Sequence, residues 1–351
     1  MPSSRRYLIA SLLLVTALGT LGYLWRDQGP APSNAPPHSY AKALRLAHDG
    51  MPGAARVLYQ QLQRSDLAPI RRVALHAELP NYPSPLALKL ATADLENEAP
   101  LVRRAAIGSL HRLLPASQHS LAIGPMLEDQ EQSVRFAAVD ALLGLDPDAV
   151  GLYYAPLQRV LKDYRQVLQQ QPDDAAAQVH LAQLYLHGDD FAQADAALNQ
   201  ALKVAPGNLE ALATQVRLRE RQGQHDASRD VLAKALALRP DSAFLQHELG
   251  LWLSRHQQDE YALLALARAV ELEPDNIDYR YTLAVTLHKL EQVDPAQKQL
   301  ETVISLQPAD RRARVLLLQY WKETGQLQNV QVLLAELERQ NPDDPLVQQG
   351  L

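Results

Sequence analysis

Residues 271–276 read ELEPDN. Close variants of that phrase return at 169–174 (QQQPDD), 203–208 (KVAPGN), 237–242 (ALRPDS), 305–310 (SLQPAD) and 339–344 (RQNPDD). The prolines are Pro172, Pro206, Pro240, Pro274, Pro308 and Pro342, each 34 residues after the last. Two positions beyond them stand Asp174, Asn208, Ser242, Asn276, Asp310 and Asp344. Proline just past a helix end cannot continue the helix, and Asp, Asn and Ser are the side chains that best accept from the free N–H groups of a first turn. The phrase is therefore a stop followed by a start, repeated at a fixed interval.

Between the stops the apolar spacing predicts two helices per unit. Leu181, Ala182 and Tyr185 mark one helix and Ala194, Leu198 and Ala201 its partner. Leu249, Gly250 and Leu253 with Ala262, Leu266 and Ala269 repeat the pattern, as do Leu283, Ala284 and Leu287 with Ala296 and Leu300. Small residues at 182, 250 and 284 let paired helices approach while leucines fill the space between them. Gly188, Gly223 and Gly325 are placed at the hairpin turns, where glycine adopts positive φ at little cost.

This pattern resembles the tetratricopeptide repeat family. The resemblance covers five units over 173–342, with 156–172 as a half-unit junction helix and 343–351 as a tail. The second unit departs from it, carrying Gln215, Val216 and Arg219 where Leu, a small residue and Tyr are usual, so its first helix is expected to pack less well. The fifth has Trp321 in the aromatic slot.

Upstream, over 39–155, a second rhythm appears. PIRRVALHAEL (69–79), PLVRRAAIGSL (100–110) and QSVRFAAVDAL (132–142) align at a period of 32, superposing Ile70, Val102 and Val134, then Arg71, Arg103 and Arg135, then Ala74, Ala106 and Ala138. An inward aliphatic, an arginine and an inward alanine in this order are similar to the first helix of HEAT-type repeats. The arginines are expected to reach acids of a neighbouring unit, such as Glu98 or Asp129. Residues 41–63 read as a leading hairpin broken at Gly50-Met51-Pro52-Gly53. The expected fold is all-α: a right-handed α-solenoid of helical hairpins, HEAT-like and then tetratricopeptide, behind an N-terminal transmembrane helix. The order of the arrays also resembles the C-terminal half of bacterial multihaem cytochrome-like proteins, but the haem-bearing cysteines and histidine are missing, so the resemblance implies no electron transfer.

The transmembrane expectation comes from residues 7–25, an uncharged run at about 1.5 Å rise per residue that nearly spans a bilayer core. Tyr7, Tyr23 and Trp25 lie at its ends, and Arg5 and Arg6 precede it. The positive-inside bias puts residues 1–6 in the cytoplasm and exports the rest, giving a single-pass signal-anchor in a bacterial inner membrane with the C-terminal domain in the periplasm. A cleaved signal peptide, with ALG at 17–19 as the cleavage site, and a Tat signal at SSRRYL are the alternatives. Residues 26–38, rich in proline, read as a semi-extended linker.

Chemistry is absent from this reading. With 0 cysteines there is no disulfide, thiolate metal site or cysteine nucleophile, and a net charge of −6 offers no footprint for nucleic acid. There is no phosphate loop, H-E-x-x-H or G-x-S-x-G motif. His180 and His187 share a helical face without a third ligand. The expectation is no enzyme, no cofactor and no metal.

The resemblance implies partner binding on a concave face lined by the first helix of each unit. Carried over by position, that face holds Val179, Gln183, Leu186, His187, Arg217, Arg221, Phe244, His247, Leu251, Arg255, Tyr281, Val285, His288, Lys289, Gln319 and Lys322. These basic and apolar residues would suit an extended or helical protein segment bearing acidic and apolar side chains. Val179 and Gln183 stand where a carboxylate clamp would need Lys and Asn, so capture of a free C-terminus is not expected. The function read from sequence is a membrane-anchored, periplasm-facing protein–protein interaction scaffold. Its alternatives are an accessory subunit in cytochrome c or cell-envelope complex assembly and, in another class, an enzyme without a recognisable motif.

Leu266 occupies a predicted core position in the third unit. Leu266→Ala should lower unfolding free energy by about 2–5 kcal/mol in denaturant titration, as buried leucines do; a negligible loss would remove that position from the core.

Overall fold

The computed structural model describes residues 39–349, and the predicted segments 1–6, 7–25 and 26–38 lie outside them. Among the described residues every regular element is helical, and no helix is long and apolar enough to cross a membrane. The leading hairpin is α1 (Tyr40–His48) and α2 (Ala54–Leu62). There follow α3 (Pro69–Glu78), α4 (Pro85–Ala93), α5 (Pro100–Leu113), α6 (Ala116–Ile123), α7 (Gln132–Leu142) and the junction helix α8 (Tyr154–Gln169).

The downstream array runs as five pairs. They are α9 (Ala175–His187) with α10 (Phe191–Val204), α11 (Leu209–Arg221) with α12 (His225–Leu238), and α13 (Ala243–Arg255) with α14 (Asp259–Leu272). The last two are α15 (Ile277–Lys289) with α16 (Val293–Leu306) and α17 (Arg311–Glu323) with α18 (Leu327–Gln340).

All six expected caps are made. Asp174 accepts from the Ala176 and Ala177 amides, Asn208 from Ala211, Ser242 from Leu245, Asn276 from Asp278 and Tyr279, and Asp310 from Ala313. Asp344 accepts from Leu346 and so turns the start of the expected tail into a short helical turn, Pro345–Gln348. The close approach predicted at Gly250 is also present: a Cβ there would lie 2.5 Å from Cγ of Leu266, which is fully buried.

Two local expectations need correction. Positive φ at the hairpin turns falls on Asp189, Gly223, Gln257, Glu291 and Gly325, again 34 residues apart. Gly188 is one residue early, with φ −90°, and three of the five turns place a larger residue in the left-handed region. There the periodic geometry of the hairpin overrides the local preference for glycine. Upstream, Ile70 is 67% exposed while Val102 and Val134 are fully buried. Pro69 and Pro100 each open a helix and lie 31 residues apart, not 32, so the first copy is shifted by one. Leu75 then buries where Ala106 does, and Arg72 rather than Arg71 matches Arg103.

With that register the arginines act alike. Arg72 pairs with Asp94 at 2.7 Å and donates to the Leu62 and Arg64 carbonyls. Arg103 pairs with Asp129 at 2.7 Å and donates to the Asn97 and Glu98 carbonyls, so Glu98 is reached through its backbone. Arg135 donates to the Asp129 and Gln130 carbonyls. Each staples its helix to the loop before it.

The array closes on itself. The Gly53 amide donates to the Arg339 carbonyl at 2.7 Å and Asn341 Nδ2 to the Pro83 carbonyl at 2.8 Å. Ala309, from the turn before α17, is buried in the same apolar cluster as Ala47 and Tyr82. That main cluster extends from Ala47 to Leu218 and a second from Ala243 to Leu337. Between them lies only a small group around Val216, Leu232 and Trp252, in the unit whose sequence departs from the pattern.

Gly50 and Gly53 separate conformational strain from closure. Both have positive φ, but a Cβ on Gly50 would meet the Pro308 carbonyl oxygen at 2.9 Å whereas one on Gly53 would meet nothing. Gly53→Ala should cost about 1–2 kcal/mol, the left-handed penalty alone. Gly50→Ala should cost more in the same denaturant measurement; equal losses would mean that the seam contributes nothing.

Candidate functional site

The inner surface meets the seam in a cavity of about 860 Å³. One wall is the turn after α3, with Glu78, Pro80 and Asn81, together with Arg112 from the last turn of α5. The other is the first helices of the last two repeats, α15 and α17. Their caps, Asn276 and Asp310, fix where each begins, so Ile277, Tyr281, Val315 and Leu316 form a half-buried apolar floor. Charges rim it. Arg312 donates to Asp278 at 2.9 Å and Asp310 at 3.2 Å, and its guanidinium lies 5.4 Å from the Tyr281 ring centroid. Arg311 forms a two-point pair with Asp344, whose carboxylate is buried.

Arg112 stands apart. It makes no ion pair among the described residues and has only long contacts to the Gly108 and Ala77 carbonyls, at 3.4 and 3.3 Å. Burial lowers its pKa, with the nearby charge of Arg312 working in the same direction and Glu78 against it. A guanidinium remains charged through such shifts, so Arg112 is a cation that makes no ion pair, with Glu78 of the same wall acting on it only at longer range.

The residues expected on the concave face divide into groups. Val179 and Leu186 are buried at 4% and 8% exposure and belong to the apolar core, because α9 packs on the junction helix as well as on its own partner. Several basic residues of the expected groove are ion-paired. Arg217 pairs with Glu210, to which Gln183 also donates; Arg221 pairs with Asp189, and Lys289 with Asp259. Most of the positive charge is thus balanced along the array. Arg255 and Lys322 make no ion pair among the described residues, and Arg255 and Arg217 face Glu248, whose carboxyl is pushed up by burial and drawn down by those two arginines.

The remaining positions are built into repeat-to-repeat contacts or left open. His247 stacks on Tyr279 with centroids 4.7 Å apart and bonds Thr282. His288 stacks on Tyr320 at 3.8 Å and bonds Glu323, which also accepts from Gln319. Phe244 and Leu251 are half-buried, while His187 and Val285 are exposed. Of the sixteen, Tyr281 and Gln319 line the seam cavity. Arg112, Arg311 and Arg312 escaped the sequence reading, although RRAR at 311–314 is a basic cluster in an acidic chain and could have marked this end.

Residues 157–203 and 277–310 match family profiles described as tetratricopeptide repeat. The chain carries tetratricopeptide repeats. An 81-residue stretch is 33% identical to "Cellulose synthase operon protein C" of Pseudomonas fluorescens (strain SBW25), covering 23% of this chain and 6% of that relative. The chain therefore matches a small part of the relative's length.

Among solved structures, the chain is similar over part of its length to YrrB, described as "a TPR protein with an unusual peptide-binding site". That likeness has 20% identity and a TM-score of 0.37, over 53% of this chain and 96% of that one. A thermophilic repeat protein of Thermus thermophilus, TTC0263, gives 22% identity and 0.39 over 58% and 98%. Yeast Tom70 gives 15% and 0.47 over 91% and 64%.

Tetratricopeptide arrays serve as protein-interaction scaffolds, so the ion pairs of this surface need sorting by what they hold. Arg311→Ala strands a buried carboxylate and should cost about 3 kcal/mol in unfolding free energy. Arg217→Ala breaks an exposed pair and should cost less than about 1 kcal/mol. Losses of the same size would show that the Asp344 pair does not secure the C-terminal end.

Proposed function

We propose that this chain is a membrane-tethered scaffold that holds a segment of a protein partner in the seam cavity. Residues 7–25 serve as the anchor, and the repeats lie on the exported, periplasmic side. What supports the partner reading is the pairing of an apolar floor with Arg112, a cation without a carboxylate partner. A bound segment would lay apolar side chains on Tyr281, Val315 and Leu316 and bring an acidic group to Arg112, giving that exposed guanidinium the ion pair it lacks. The acidic preference inferred from sequence is retained but moved. It rests on Arg112, Arg255 and Lys322, because Arg217, Arg221 and Lys289 are already occupied.

Binding of this kind needs no turnover. The two walls of the cavity come from residues about 200 apart in sequence, from Glu78 to Asp278, so a segment lying between them would also brace the closure.

A photo-crosslinker at Gln319 should capture a discrete partner, and one at Leu238, 84% exposed on the second helix of its unit, should not. Arg112→Glu should abolish the Gln319 adduct while leaving helicity unchanged. Capture that persists in Arg112→Glu would refute the cavity as the docking site. The tether has its own test: protease added outside spheroplasts should degrade the repeats, and full protection would overturn export.

A further inference from the structure

Where the two large apolar clusters part, a polar group joins the second repeat to the third. Glu220 is on the last turn of α11, His225 opens α12, and His256 follows the last residue of α13. Glu220 Oε2 lies 2.9 Å from His256 Nε2, and Oε1 lies 3.3 Å from His225 Nδ1. The potential ligand atoms of the three residues all fall within 4.8 Å of one another.

We propose that Glu220, His225 and His256 form a binding site for a divalent transition-metal ion of the zinc type. Two imidazoles and one carboxylate are a donor set that suits Zn²⁺ and leaves a fourth position for water or an incoming side chain. Ligands at about 2.0–2.1 Å around a tetrahedral ion stand about 3.3 Å from each other. Each imidazole faces its own oxygen of Glu220, His256 at 2.9 Å from Oε2 and His225 at 3.3 Å from Oε1, so a small rotation of the carboxylate and one ring brings three donors around an ion. The remaining adjustment falls on His225, whose side chain is 59% exposed and lies edge-on to His256 with centroids 4.9 Å apart, while His256 is held at 21% exposure.

The surroundings support the carboxylate as a ligand. Ser228 Oγ and Trp252 Nε1 both donate to Glu220 Oε1, the latter at 3.0 Å, and Trp252 also donates to Ser228 at 2.8 Å. Ser228 and Trp252 are buried, so they orient the carboxylate from behind as outer partners of a metal ligand do. Burial alone would push the Glu220 carboxyl up, but the hydrogen bonds from Ser228, His256, His225 and Trp252 together outweigh it and hold it at about 2.

The position explains what an ion would do. The apolar cluster at this joint is confined to Val216, Leu232 and Trp252 with partly buried neighbours, because Gln215 and Arg219 occupy usual packing positions of the second unit. A metal held by residues from both units would fix their relative orientation at the place where apolar packing is thinnest, and through it the distance across the seam.

Full-length protein, treated with EDTA and dialysed, should bind one equivalent of Zn²⁺ in calorimetric titration with micromolar or tighter affinity. Its thermal midpoint should rise on binding, and Co²⁺ should give tetrahedral ligand-field absorption and quench Trp252, whose ring centroid is 4.2 Å from that of His256. His225→Ala should weaken Zn²⁺ binding by about tenfold or more. Because His225 is exposed, its metal-free unfolding should match the parent's, which separates ligation from folding; His256→Ala and Glu220→Gln should weaken binding further. Absence of saturable binding below millimolar Zn²⁺, or binding unaltered in His225→Ala, would overturn the site and leave a hydrogen-bonded knot only.

Discussion

A short polar side chain two residues past a proline, accepting the first free amides of a helix, is the contact on which this structure depends. Proline ends one helix, Asp, Asn or Ser starts the next, and the interval never varies from Asp174 to Asp344. A constant interval means a nearly constant step from unit to unit, and such steps add. The left-handed residues at 189, 223, 257, 291 and 325 follow the same spacing even where they are Asp, Gln or Glu. Each unit thus imposes its turn on whatever residue falls there, at a small local cost. The added steps bring Arg339 and Asn341 to Gly53 and Pro83.

Closure changes what the inner surface is. An open array offers a long groove, and the charges along this one are largely paired with neighbours: Arg217 with Glu210, Arg221 with Asp189, Lys289 with Asp259. Exposed pairs of this kind add little stability, but they remove free charge that a partner could meet. At the seam two surfaces with separate origins face each other, and Arg112 forms no ion pair there although Glu78, Asp278 and Asp310 line the same cavity. That unpaired guanidinium sits where surfaces from the two arrays meet.

The second unit shows how the fold tolerates a weak member. Its apolar contacts shrink to a small cluster, and a hydrogen-bonded group around Glu220 takes over the contact with the third unit. Such a group is directional where apolar packing is not, so it specifies orientation while adding little burial.

The period, caps, paired helices and all-helical class of residues 173–342 were legible because each depends on neighbours within one hairpin: a proline, its Asp or Asn, and a small residue at 182, 250 or 284. The weak second unit was legible for the same reason, from Gln215 and Arg219. The upstream phase was not, since Pro69 set the start of α3 against the aliphatic pattern and moved Ile70 outward. Nor were the fates of Val179, Leu186 and the inner arginines, which depend on carboxylates and helices that other parts of the array bring to them. Sequence by itself determined the repeating unit, because that unit is held by local contacts. Only the tertiary structure decided that the ends meet, that Arg112 makes no ion pair and that Glu220, His225 and His256 converge, because those outcomes come from accumulated rotation between units and no single hairpin contains them.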